Sequence, residues 1–322
     1  MYWVYFFVVF KKTNSIGCAV ERFTSHVVKY LHSIHGRRAQ MQYLILLLLP
    51  FISIIQSIAQ KQYNLKSKSP NSGLFSAVTS LIALVFFIVT SGFQLSFTVK
   101  LIPYALVFGV CYASAWVGTV EAVRHGTITL TNMIISCSLV VPTTYGIIRG
   151  ETVTPVTVVG MALLFAAIAL VNLKFDEKNA FSMKWFIWVM IAFLGNGFCS
   201  MMQNMHKFHL GDSYGHEFMI IALTSAAVLL FAYVFLTSKN IKTEMRVCLP
   251  YTFVNGTVNA SLNLLMLLII GKLPNIVLYP TFSALSMLVS FLLGFVVYKE
   301  RFTVYQYIGY AMGIASIVLL NL

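Results

Sequence analysis

Polar side chains recur at helical spacing inside a chain that is otherwise strongly apolar. Asn255, Asn259 and Asn263 place three carboxamides four residues apart, which stacks them on one face of a helix. A carboxamide both donates and accepts, so such a row suits recognition of a neutral or zwitterionic polar solute. Similar stripes are carried by Ser53, Gln56, Ser57 and Gln60, by Asn196, Ser200 and Gln203, by Thr129, Asn132 and Ser136, and by Tyr279, Ser283, Ser286 and Ser290. In hydrocarbon each unsatisfied polar group costs several kcal/mol, so every one of these groups needs a partner or water. One stripe alone reads as interhelical glue. Five stripes on five segments read as the lining of a shared, water-filled cavity, with the asparagine row as its leading candidate.

The charges that are missing narrow the chemistry further. No Asp, Glu, Lys or Arg falls near the middle of an apolar segment, where one would cost about 2.5–3.5 kcal/mol or more. Glu121 is the most deeply placed acid, and Arg124 at i+3 offers it a helix-end ion pair. His206, His209 and His216 read as part of a polar connector beside a lone Asp212, not as a metal site. The five cysteines, Cys18, Cys111, Cys137, Cys199 and Cys248, are scattered and have neither disulfide-framework nor metal-ligand spacing. With no nucleophile, acid–base pair or ligand cluster in view, no enzyme activity and no cofactor are expected.

The elements that position the stripes follow from composition. Of 322 residues 59% are hydrophobic and 10% charged, against about 25% charged in a soluble domain. So few charges cannot cover a water-facing surface. Crossing the hydrocarbon takes about 20 apolar residues, and the chain offers ten such segments: 42–59, 73–93, 101–121, 127–148, 156–173, 185–205, 217–237, 248–270, 277–298 and 305–321. The fold class expected is all-α, a polytopic membrane protein with ten transmembrane helices. The Lys and Arg behind the net charge of +13 sit in residues 1–40 and in the short connectors, where they meet anionic lipid and set topology. No nucleic-acid partner is implied; the partners expected are the lipid bilayer and a small-molecule solute. Pro50, Pro142 and Pro280 fall inside segments, where proline is common in membrane helices.

The chain repeats itself. Pro103, Tyr104, Gly109, Ala113 and Ser114 recur as Pro250, Tyr251, Gly256, Ala260 and Ser261, an offset of 147. Glu151, Thr154, Gly160, Ala162 and Asn172 recur as Glu300, Thr303, Gly309, Ala311 and Asn321, an offset of 149. Ser57 and Gln60 are echoed by Ser200 and Gln203. An internal duplication of this kind divides the chain into 41–175 and 180–322, with five segments each. An odd number of crossings makes the second copy enter the membrane from the opposite side, so two inverted five-helix repeats are expected.

Tyr298-Lys299-Glu300-Arg301-Phe302-Thr303, followed by Gly309, Ala311 and Gly313 in a last apolar segment, resembles the ten-span EamA-like branch of the drug/metabolite transporter superfamily. Arg149-Gly150-Glu151-Thr152-Val153-Thr154, then Gly160, is the matching first-half copy. The resemblance covers about residues 41–322 and implies a secondary carrier with two inverted repeats around a central cavity. Small multidrug relatives use a first-span carboxylate for proton exchange; this first span offers only Gln and Ser, so that mechanism does not carry over. The motif residues read structurally: Glu151 and Glu300 against a helix dipole, Thr154 and Thr303 as N-caps, Gly160 and Gly309 as close-approach points.

Residues 1–40 stand outside this plan. Met1 to Phe10 is too short to span and precedes its basic residues instead of following them. Met41 is therefore the expected start, with 1–40 not native; the alternative is that 1–40 forms a basic, amphipathic interfacial helix. Orientation is contested: from residue 41, connectors after odd-numbered segments carry twelve Lys and Arg and those after even-numbered segments four. The positive-inside rule then puts both termini outside, whereas the basic 1–40 segment, like the family pattern, puts the N-terminus inside. The function expected is alternating-access transport of a small polar metabolite, amino acid or drug across the cell membrane. A membrane enzyme or a non-transporting scaffold is the alternative. For a carrier, Asn-to-Leu changes at 255, 259 and 263 should abolish flux and spare stability.

Overall fold

The computed structural model describes residues 37–67, 71–125, 131, 134–172, 182–237, 241–296 and 302–321. Contacts divide the chain into two compact units, Met1–Ile45 and Leu46–Leu322. Residues 37–45 of the first are helical; the packing described below belongs to the second. Thr129, Asn132 and Glu300, and the side chains of Ser57, Arg124, Asn172 and Ser290, lie outside the described residues.

Among the described residues there are ten α-helices: α1 (Arg37–Lys66), α2 (Ser72–Thr90), α3 (Ile102–His125), α4 (Val140–Ile148), α5 (Pro155–Asn172), α6 (Met183–Leu210), α7 (Gly215–Thr237), α8 (Ile241–Ile269), α9 (Asn275–Val296) and α10 (Val304–Leu320). A 3-10 turn, Cys137–Leu139, feeds α4. Six helical stretches, in α1, α2, α3, α6, α7 and α8, are long and apolar enough to cross a membrane; four apolar ones, Ile134–Ile148, Pro155–Val171, Asn275–Val289 and Val304–Leu320, are shorter. The chain is thus an all-helical, multi-pass membrane-embedded protein. Its outward faces fit that setting: Val85, Val110, Ile187, Val228 and Phe235 stand exposed on the spanning helices. Large apolar side chains in such numbers belong against acyl chains rather than water.

Helix ends carry their own signals. Asn71 caps α2, its Oδ1 accepting from Leu74 N at 2.9 Å. Thr154 Oγ1 accepts from Thr157 N at 3.1 Å at the start of α5. Thr303 forms a capping box with Gln306 at α10. Both threonines therefore cap as the motif predicts. Glu151 acts differently from expectation: its Oε2 accepts from Ile276 N, at 2.9 Å, in the first turn of α9 and not of the adjacent α5. The carboxylate does meet a helix N-terminus, but one supplied by the other half of the chain.

Small residues set the packing. α2 pairs with α7, α3 with α6 and α7, α8 with α2, α5 with α10, and α9 with α10 and α4. A Cβ on Gly109 of α3 would sit 2.6 Å from the Ala222 carbonyl of α7; one on Gly256 of α8 would sit 2.9 Å from the Thr79 carbonyl of α2. Gly160 of α5 faces Leu319 and Leu320 of α10, while Gly309 of α10 faces Ala167 and Leu170 of α5. Each duplicated glycine thus occupies the position its copy occupies once the halves are exchanged. Helices without a hydrophobic drive to associate depend on such close approach. The core, with Phe87, Phe108, Phe218, Leu223 and Ala260, lies among α2, α3, α6, α7 and α8.

One boundary is corrected. The sixth segment does not end at 205; α6 continues to Leu210, so His206 and His209 belong to a helix rather than a connector. The polar run Gln203, Asn204, His206, Lys207 looks like loop composition, but Gln203, Asn204 and His206 turn into the bundle and are buried. His206 stacks on Phe218, ring centroids 4.5 Å apart.

Candidate functional site: a polar cavity between the halves

A cavity of about 640 Å³ opens among the Ile134–Ile148 stretch, α5, α6, α9 and α10, with Met266 of α8 on its wall. That volume is in the range of pockets that enclose small molecules. Ser136, Ser138, Asn196, Ser200, Tyr279, Ser283 and Ser286 line it together with Leu139, Ile168, Phe282 and Tyr310, and none of its lining side chains is formally charged. Asn196 Nδ2 donates to Ser138 Oγ at 2.9 Å, tying α6 to the 3-10 turn across one wall.

Six residues of the expected stripes, Ser136, Asn196, Ser200, Tyr279, Ser283 and Ser286, are thereby brought together. The carboxamides of α8 are used otherwise. Asn255 Oδ1 accepts from Gln56 Nε2 of α1 at 3.0 Å. Asn263 Oδ1 accepts from Gln203 Nε2 of α6 at 3.0 Å, and Asn263 Nδ2 donates to Asn259 Oδ1 at 3.1 Å. None of these residues is part of the cavity lining. They are rungs between α8 and its neighbours α1 and α6, the glue reading of a polar stripe. Gln60 is half-buried on α1, away from the cavity. The Gln56–Asn255 rung has a counterpart in the exchanged halves: Cys199 and Phe108 are the corresponding positions, and Cys199 Sγ donates to Phe108 O at 3.6 Å. Glu121 accepts from Tyr233 Oη of α7 at 2.7 Å, which places this acid in an interhelical contact.

Tyr279 of the cavity wall is bonded to Asn204, which lines a neighbouring cleft, a pair the sequence did not single out. Tyr279 of α9 is 5% exposed; its hydroxyl bonds to Asn204 Nδ2 and donates to the Ser200 carbonyl at 3.3 Å, both on α6. Asn204 Nδ2 also donates to that carbonyl, at 3.0 Å. On the far side of this contact lies a second cleft of about 510 Å³, reached by Asn204, Arg149, Glu151, Lys207, Asp212, Lys272 and Asn275. Lys207 bonds to Asp212 and holds its carboxyl below the usual carboxylate range. The signal for Asn204 was present in the sequence: Asn196, Ser200 and Asn204 continue one stripe at four-residue spacing inside the segment 185–205, although Gln203 rather than Asn204 ends the stripe expected there.

No protein-family model and no curated protein matches this chain. Solved structures do: 28 chains match in fold. One, described only as the crystal structure of a protein, superposes with a TM-score of 0.70 at 12% identity, covering 88% of this chain and 98% of that one. Identity at that level speaks to the fold alone, and the fold extends over nearly the whole of that protein.

Proposed function

We propose that this chain is a secondary transporter of the EamA-like kind, moving a small polar solute across the cell membrane by alternating access. The observation that carries the reading is the uncharged polar cavity, built from helices of both sequence halves, with Tyr279 of its wall bonded to Asn204. In this reading all ten helices cross, the four shorter ones included, and 41–175 and 180–322 are inverted repeats. The exchanged glycine contacts and the paired rungs Gln56–Asn255 and Cys199–Phe108 support it. Rocking one repeat on the other breaks the Tyr279–Asn204–Ser200 bonds and turns the cavity toward the opposite face. A cavity of this size without fixed charge takes a neutral or zwitterionic metabolite, amino acid or drug.

The test is a thermal-shift screen of metabolites on detergent-purified protein, followed by liposome flux of each stabilising solute. Asn196→Leu should abolish flux while lowering the unfolding temperature no further than Ser138→Ala, which breaks the same bond. Flux through Asn196→Leu equal to the unmodified rate, or no flux above empty liposomes for any stabilising solute, overturns the reading.

A further inference from the structure

The cleft beyond Tyr279 differs in chemistry from the cavity: it carries charge, and the charge is unevenly matched. Arg149, Lys207 and Lys272 reach it with two carboxylates, Glu151 and Asp212. Both carboxylates are engaged, Asp212 by Lys207 and Glu151 Oε2 by Ile276 N. Among the described residues no carboxylate forms an ion pair with Arg149 or Lys272. The Arg149 guanidinium lies 3.0 Å from the centroid of the Phe208 ring. Stacking of that kind fixes the plane of the fork and leaves its N–H edges for a planar oxyanion. Lys207 is the least expected member. Its side chain is 8% exposed, and of three ammonium donors one is taken by Asp212.

The opposite character belongs to Asn275. It is 6% exposed and its Oδ1 is a buried acceptor with no partner. Buried polar atoms are nearly always satisfied, so an orphan on a cleft wall calls for a donor from the occupant. Glu151 lies beside it: a Cβ built on Gly146 would be 2.5 Å from Glu151 Oε2 and 2.8 Å from Asn275 Cβ. The missing side chain at Gly146 is what leaves room for both residues.

We infer that this cleft binds a small organic acid, its anionic group on Arg149, Lys207 and Lys272 and a neighbouring N–H or O–H of the same molecule on Asn275. The class is that of amino and hydroxy acids. The role of the site as the entrance to the cavity rests on the transport reading; the binding itself does not. An anionic lipid headgroup bearing a hydroxyl or ammonium has the same chemistry and is separated from the solute by experiment.

The probes are alanine, lactate, acetate and alaninamide, with binding measured by equilibrium dialysis on protein in neutral detergent. Alanine or lactate should bind at least tenfold more tightly than acetate, which lacks the donor, and than alaninamide, which lacks the anion. Arg149→Gln and Lys272→Gln, at exposed positions that spare the fold, should each weaken that binding at least fivefold with an unchanged unfolding temperature. Equal binding of alaninamide and alanine, or no loss in either variant, overturns the inference. So does failure of every probe to bind, and if mass spectrometry then shows less co-purified anionic lipid in the two variants, the occupant is a headgroup. Binding as expected without liposome flux leaves the site standing and removes the carrier.

Discussion

Gln56 and Asn255 are 199 positions apart in the chain and 3.0 Å apart in the bundle. The Asn255 carboxamide has no water to fall back on if its partner is removed, because the residue is 4% exposed. Interhelical hydrogen bonds of this kind are worth about 0.6 kcal/mol on average and about 1.7 at most, since unfolded helices in lipid also find partners. Leaving one partner buried and alone costs about 1–3 kcal/mol. Asn255→Leu should therefore lower stability by about 1–2 kcal/mol, and Gln56→Leu in the same protein should restore part of the loss. A double-mutant cycle on denaturant or thermal unfolding measures the coupling; strictly additive losses would remove the rung. The loss of flux expected from sequence at the α8 asparagines moves to Asn196 and to Tyr279, whose change to phenylalanine removes the bonds to Asn204 and Ser200. In a cysteine-free background, Tyr279→Phe should speed labelling of Ser283→Cys by a water-soluble thiol reagent arriving through the cleft. An unchanged rate means that the tyrosine does not close the cavity.

Among the helices, the duplicated glycines decide how close neighbours come. At Gly109 and Gly256 a Cβ would strike the side chains of Ser225 and Ile82 and also, at 2.6 and 2.9 Å, the backbone carbonyls of Ala222 and Thr79, which cannot rotate aside as a side chain can. Overpacking without an escape costs about 1–3 kcal/mol. Gly109→Ala and Gly256→Ala should each destabilise by that amount, and by similar amounts, because each sits at the same contact in exchanged halves. Gly215 is the control, since the nearest atom to its Cβ would be Leu267 Cδ1 at 3.8 Å. Gly215→Ala should be neutral within about 0.5 kcal/mol. Thermal unfolding of the three variants in detergent reads the comparison, and unequal or absent effects at 109 and 256 would separate the two helix contacts.

For the whole molecule, the inversion of the halves proposed above has the widest consequence. In that reading five crossings per repeat put corresponding connectors on opposite faces of the membrane. Ser67, between α1 and α2, corresponds to the Leu210–Gly215 connector between α6 and α7. Single cysteines at Ser67 and Ser213, introduced after the native cysteines are replaced, should react with an impermeant thiol reagent from opposite sides of intact vesicles. Reaction from the same side would falsify the inverted arrangement. The same experiment settles which face is positive, where the connector charges and the basic 1–40 segment disagree.

What the sequence by itself determined is local or statistical in origin. Helix positions followed from apolar length, caps from Thr154 and Thr303, close-approach points from glycines that recur in both halves, and membrane embedding from too few charges to face water. These are legible because each depends on a short window of chain or on total composition. The use of the polar stripes was decided only by the tertiary structure. Asn196 and Asn255 have the same side chain and the same apolar surroundings in sequence, yet one lines a cavity and the other is consumed by Gln56. Which occurs depends on what the neighbouring helix presents at that height, a partner carboxamide or an opening, and periodicity along one helix carries no information about the next. The cleft needed the fold for the same reason: Arg149, Lys207, Lys272 and Asn275 come from three separate stretches of chain, and only packing of α6 and α9 against the turn after α4 makes them one surface.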